Sequence, residues 1–243
     1  MNENEIKAIA NTFIRIAAEL SDLADRLHRL ADSKMKKMDS EQICQQKHGI
    51  QGCKAVDLGL PSGLKWADRN VGAATPEDYG DYFMWGSTTP DTDKPCDWAH
   101  CPFNGGQEYF DEEYFNAHKS EWLTDEGILK PEHDAALAIM GGRWRMPTQA
   151  EMLELLDWTT QTMEGNGMRF TSNANGNSIF MPFAGFRYDS DVINVGTHGY
   201  ALSSSLYAGN ANYSHNLYFY CYGYDGVYFS SRYFGFVVRG VHE

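Results

Sequence analysis

Any chemistry in this chain would have to come from its thiols, imidazoles, hydroxyls and carboxylates, and their spacing organises none of them into a catalytic centre. Five cysteines (Cys44, Cys53, Cys96, Cys101 and Cys221) are an odd number and too few for a disulfide framework. The run Cys96-Asp97-Trp98-Ala99-His100-Cys101 gathers two thiols and an imidazole, but no second ligand pair stands at zinc spacing. Two readings of this run stay open, free thiols or a local disulfide in an exported chain. Cys44 and Cys53 flank His48 without C-x-x-C geometry and read as spare thiols. Ser203, Ser204 and Ser205 have no G-x-S-x-G elbow around them, and His198, His215 and His242 have no triad spacing. The carboxylates Asp91, Asp93, Asp97, Asp111, Glu112 and Glu113 lack the order of a calcium loop and read as a solvated acidic insertion. The expectation is a protein without catalytic residues, metal or cofactor.

Charge narrows the partners. Lys and Arg total 20 against 33 Asp and Glu, a formal charge of −13, so nucleic acid and anionic membrane are poor partners. Fifteen acidic and three basic residues fall between Thr75 and Ala135, which concentrates the excess in one segment. No apolar run is long enough to insert in a membrane. Charges interrupt Met1–Phe13 where a signal peptide has its apolar core, so no signal peptide is visible.

The residues best suited to binding lie at the other end. Nine of the 14 tyrosines fall between Tyr200 and Tyr233, interleaved with Ser, Gly and Asn. Tyrosine offers a large amphipathic contact surface with only two side-chain torsions to immobilise, and small polar neighbours supply adaptable hydrogen bonds. Lys, Glu, Gln, Met and Trp account for 47 of the first 199 residues and for none of residues 200–241. These five types share one property: no codon ending in a pyrimidine encodes any of them.

Strands must position such a surface. Leu217 and Phe219 alternate with Tyr218 and Tyr220, and Val227 and Phe229 with Tyr228, so the apolar residues are expected to face a core and the tyrosines to face out. Upstream, a Pro61-Ser62-Gly63 turn separates two short apolar runs. Thr75 with Pro76 suggests a capped helical turn. A helix is expected from Pro131 to Gly141, and another after Thr148, whose capping box with Glu151 precedes the apolar face Met152, Leu155 and Leu156. Few helices and many short strands indicate an α+β domain over 55–243. Ahead of it, Ile6, Ile9, Phe13, Ile16, Leu20, Leu23, Leu27 and Leu30 alternate steps of three and four, with Ala10, Ala17, Ala24 and Ala31 at every e position. Residues 1–37 therefore read as a coiled-coil helix joining three or more chains, and 38–54 as a linker. An amphipathic helix packed on its own domain is the alternative.

The strings VDLGLPSGLKWADRNVG, PEDYGDYFMWG, DAALAIMGGRWRMPT followed by Glu151, GNSIFMPFAGFR and SRYFGFVVRGV fall in order between Ala55 and Val241. Together they resemble the C-type-lectin-fold domains related to formylglycine-generating enzymes, and most of all the variable proteins that retroelements diversify in phages and bacteria. The resemblance implies a C-type lectin fold and a variable region at about residues 200–236. Such retroelements mutate template adenines in AAC or AAT codons, which can never yield Lys, Glu, Gln, Met or Trp. The resemblance places Tyr207, Asn210, Asn212, Tyr213, His215, Asn216, Tyr218, Tyr220, Tyr222, Tyr224, Asp225, Tyr228, Ser230, Ser231, Tyr233 and Phe234 in the diversified, ligand-binding set. It places Ser204, Leu217, Phe219, Val227, Arg232, Gly235, Val238 and Arg239 in the constant scaffold. Relatives carry an aromatic pair just before the serines, where this chain has Ala201-Leu202. The implied partner is a protein or glycan receptor, met from a phage tail tip or a bacterial cell surface, with the absent signal sequence favouring the virion. The alternatives are a fixed-specificity domain of the same fold, or an oxidase like the formylglycine-generating enzymes. The oxidase would need a C-terminal cysteine pair, and only Cys221 follows Cys101; a calcium-dependent lectin would need Glu-Pro-Asn or Gln-Pro-Asp and Trp-Asn-Asp strings, and none occurs.

Overall fold

The structure, a computed structural model, describes residues 53–243 apart from Tyr224 and the Asp225 side chain. The heptad segment Ile6–Leu30 and most of the linker lie outside the described residues. The first strands are β1 (Ala55–Asp57), β2 (Lys65–Ala67) and β3 (Tyr82–Phe83). Next come α1 (Glu112–Trp122), α2 (Ala135–Met140), β4 (Trp144–Arg145) and α3 (Gln149–Trp158). Then β5 (Thr159–Glu164), β6 (Gly167–Ser172), β7 (Ser178–Pro182), β8 (Phe186–Tyr188) and β9 (Asp191–Ile193) follow. The last strands are β10 (His198–Leu206), β11 (Tyr213–Tyr220), β12 (Asp225–Ser231), β13 (Phe236–Val237) and β14 (Val241–His242). This is an α+β protein dominated by sheet.

Local rules account for several of these elements. Gly63, at φ +74°, closes the turn between β1 and β2 by donating its N–H to Leu60 O at 2.9 Å. Thr148 and Glu151 form the reciprocal capping box of α3, and Met152 and Leu155 are buried beneath it. The expected helix from Pro131 is divided. A 3-10 turn covers Pro131–His133, after which the Asp134 carboxylate accepts from Leu137 N and starts α2, and Gly141 ends it. Two expectations are corrected. Thr75 does not cap a helix; it sits in a turn in which the Asp78 carboxylate accepts from Thr75 N at 2.8 Å. The acidic insertion is not simply solvated, because Asp111 caps α1, whose Phe115 and Trp122 are buried. Its acidic first turn, Glu112 and Glu113, suits the positive end of the helix dipole.

Among the described residues four sheets form, with strand orders β1-β2-β14-β4, β12-β11-β10-β13-β3, β5-β6-β7 and β8-β9. The C-terminal strand β14 lies between β2 and β4, with Val241 opposite both Trp66 and Arg145. In the five-stranded sheet β12 and β3 are the edges, and β10 runs parallel to β13 with Ala201 opposite Val237. One face of this sheet, through Ala201, Leu217, Phe219 and Val237, packs on Met152, Leu155, Phe170 and Phe183. The opposite face, through Leu202, Phe236 and Phe83, packs on Trp85, Phe115 and Trp122. Arg239 ties the layers together from a fully buried position. Its guanidinium donates to Asn70 Oδ1 (2.9 Å), Ala67 O (2.9 Å) and Phe180 O (2.8 Å), and burial pulls its pKa down to about 10. Among the described residues no helix is long and apolar enough to cross a membrane.

Candidate functional site

Three antiparallel strands carry most of the tyrosine-rich segment, and their register decides which side chains meet. Tyr218 lies opposite Tyr200 on β10 and Gly226 on β12, Asn216 opposite Leu202 and Tyr228, and His215 opposite Phe229. Because alternate residues point to opposite faces of a strand, the candidate set is split rather than gathered. On one face Tyr200, Tyr218, Tyr220 and Tyr228 form a ladder of rings with His198. Tyr218 contacts Tyr200 (5.1 Å), Tyr220 (5.8 Å) and Tyr228 (5.5 Å, edge-on), while His198 lies nearly parallel to Tyr220 at 5.7 Å. Tyr222 extends the ladder from Tyr220 at 5.7 Å and is 86% exposed.

The second cluster sits on the face shared with Leu217 and Val227. Tyr207 stacks on Phe229 at 4.1 Å, with Tyr213 edge-on to Phe229 at 5.5 Å and His215 edge-on to Tyr207 at 5.4 Å. Phe229 was expected in the core and is instead 47% exposed: it lies on the edge strand β12 opposite the buried His215, with Tyr207 stacked on it and Tyr213 against its edge.

Exposure further separates the candidates. Asn210 is exposed; Tyr207, Asn212, Tyr213, Tyr218, Tyr220, Tyr228, Ser230, Ser231, Tyr233 and Phe234 are half-buried. The tyrosines expected to face freely outward therefore lean on one another. His215 and Asn216 belong to the expected ligand-binding set, yet both are buried, Asn216 to 1% exposure between Leu202 and Tyr228. The His215 ring nitrogen Nδ1 sits 3.3 Å from Tyr228 O, and burial lowers its pKa below the ordinary histidine value. Tyr224 and the Asp225 side chain lie outside the described residues. Of the expected scaffold, Ser204, Leu217, Phe219, Arg232, Gly235, Val238 and Arg239 are buried and Val227 is half-buried.

Residues outside the expected ligand-binding set complete the site. Tyr200 stacks on Phe236 at 4.9 Å with planes 7° apart, and burial pushes its phenol up to about 12, so it stays a neutral donor. Arg232 has no carboxylate partner among the described residues. It donates to Ala211 O (2.7 Å) and Pro102 O (3.1 Å), and its guanidinium lies over Phe115 (4.6 Å), Phe110 (5.3 Å), Trp98 (5.4 Å) and Trp85 (5.7 Å). Cation–π attraction and two carbonyls thereby pin the loop before β11 to the insertion. The signal for this cage was only the aromatic content of an acidic segment, which carries no periodicity.

The remaining reactive residues are engaged singly. Cys96 and Cys101 are free and buried, and burial pushes their thiols to about 11 and about 12, which keeps them protonated. Asp91 accepts from Met84 N at 2.6 Å and pairs with Lys94 at 2.8 Å, and Asp97 pairs with His100 at 2.7 Å. Among the described residues no group of three His, Cys, Asp or Glu is placed to hold a metal ion. A cleft of about 320 Å³ lies between Leu129, Leu137, Trp144 and Met146, and no residue of the tyrosine face lines it. The arrangement offers an aromatic surface for contact. No family model, curated protein or solved structure matches the chain.

Proposed function

We propose that this chain is a non-enzymatic recognition protein with a C-type lectin fold, whose C-terminal aromatic surface is diversified by a retroelement and binds a protein or glycan receptor. It acts from a phage tail or a bacterial cell surface, and residues Ile6–Leu30 join three or more copies so that weak contacts gain avidity. The observation that carries this reading is the ladder of Tyr218, Tyr220 and Tyr228 on the sheet face opposite the buried Leu217 and Phe219, extended by Tyr222 in the turn after β11. Pleating allows side chains on one face to change while the core on the other is kept. The compositional gap over residues 200–241 supports diversification independently. Sequencing the DNA beside the gene tests it: a near-repeat of the segment encoding residues 200–241 that differs at adenines, next to a reverse transcriptase, is expected. An isolated gene without such a repeat would overturn it.

One observation favours a second reading, a fixed-specificity domain of the same fold. His215 and Asn216 are buried, and a buried position tolerates fewer side chains than a surface one. Close relatives with identical residues 200–236 would support that reading.

A further inference from the structure

The cleft of about 320 Å³ beside β4 is assembled from segments far apart in the chain. Ile128, Leu129, Leu137, Trp144 and Met146 supply its apolar lining. Hydrogen bonds tie these segments to one another. Leu129 N donates to Ser204 O at 2.9 Å, Ser204 N to Pro147 O at 2.8 Å, and Met146 N to the Asp134 carboxylate at 2.8 Å. Trp144 is held edge-on to His242 at 5.0 Å. The cleft is therefore shaped by the fold rather than by what fills it. Its volume falls at the small end of the range for small-molecule sites, about 300–1,000 Å³.

The charged groups that line the cleft differ in what they already hold. Asp134 uses both carboxylate oxygens, accepting from Leu137 N at 2.9 Å and Met146 N at 2.8 Å. Arg145 is shared between Glu151 at 2.7 Å and Glu243 at 3.2 Å. Arg143 follows the left-handed Gly141 and Gly142 (φ +66° and +63°) and is exposed on the cleft lining, with no hydrogen bond or ion pair among the described residues. We infer that this cleft binds a small apolar carboxylic acid as its monoanion, with the apolar body against Leu129, Leu137, Trp144 and Met146 and the carboxylate on Arg143. A guanidinium presents paired donors that match a carboxylate. The charge is single because Asp134 and Glu243 also line the cleft, and a dianion such as a phosphomonoester would meet their repulsion twice over. A neutral molecule of the same shape would gain only the burial of its body. No residue of the tyrosine ladder takes part, so the inference does not rest on the recognition reading.

The test titrates the full chain, methyl-labelled at leucine, isoleucine and methionine, with 3-phenylpropanoate and 2-naphthylacetate while methyl NMR signals are followed. Saturable shifts are expected at Leu129, Leu137 and Met146, and not at Leu217. The amides of the two acids should bind the parent chain about tenfold more weakly, and Arg143→Gln should weaken the acids by a similar factor and leave the amides unchanged. Arg143 is exposed, so this variant should melt with the parent. Acetate, which lacks the apolar body, should give no saturable shift. Absence of saturation with both acids, or shifts centred elsewhere in the chain, would overturn the site. Amides that bind as well as the acids, or acids indifferent to Arg143→Gln, would overturn the carboxylate assignment. Phenyl phosphate binding more tightly than 3-phenylpropanoate would overturn the monoanion assignment.

Discussion

Tyr218 stands directly opposite Tyr200 across the β10–β11 pair, with ring centroids 5.1 Å apart. One residue along, Leu217 stands opposite Ala201 and both are buried in the core. The pleat thus separates a polar-tipped aromatic surface from a packed interior by a single residue step, and the consequences can be measured.

Stability should respond unequally along this one segment. Phe219 contacts Phe170 at 5.7 Å and Phe183 at 5.8 Å, and Phe219→Ala should cost about 3–5 kcal/mol. Tyr222→Ser should change stability by about 0.5 kcal/mol or less, since Tyr222 is mostly exposed. Tyr218→Ser should fall between, at about 1–2 kcal/mol, because it removes several ring contacts. Denaturant unfolding of the three variants checks the order.

Gly199 should not accept a side chain. A Cβ there would lie 2.2 Å from the Phe219 ring, so Gly199→Ala must push that ring off its packing, at about 1–3 kcal/mol. Stability of Gly199→Ala equal to the parent would contradict the packing described for β10 and β11.

Acid should weaken the fold through His215. Burial lowers the His215 pKa from its ordinary 6.5, so the unfolded chain takes up this proton first. The contribution is full above pH 6.5 and is lost as pH falls below it, until the folded imidazole also protonates. Unfolding midpoints across that range should fall less steeply for His215→Gln than for the parent.

Assembly should depend on the heptad segment. Sedimentation is expected to show three or more chains for the full sequence and one for a chain beginning at Ala55, since alanine at every e position widens the seam beyond two helices. A monomeric full chain would remove this part of the proposal.

What the sequence determined by itself is what local physics controls. The Gly63 turn needs only a residue at ease with positive φ, the Thr148–Glu151 box needs only two side chains three residues apart, and the strand alternation of Leu217 and Phe219 with their tyrosine neighbours needs only period two. What depended on partners distant in the chain was decided by the tertiary structure. Acidity hid α1, because its buried face is only Phe115 and Trp122, and the rings around Arg232 come from residues 85–115, far away in sequence. Alternation placed Phe229 on the same face as Val227, but burial depends on what packs over each position, and on this face the inner-strand His215 is covered while its edge-strand partner Phe229 is not. The same reason divides the tyrosine-rich segment into two clusters and buries His215 and Asn216: composition names the residues of a surface, while strand register and overlying layers choose which of them share it.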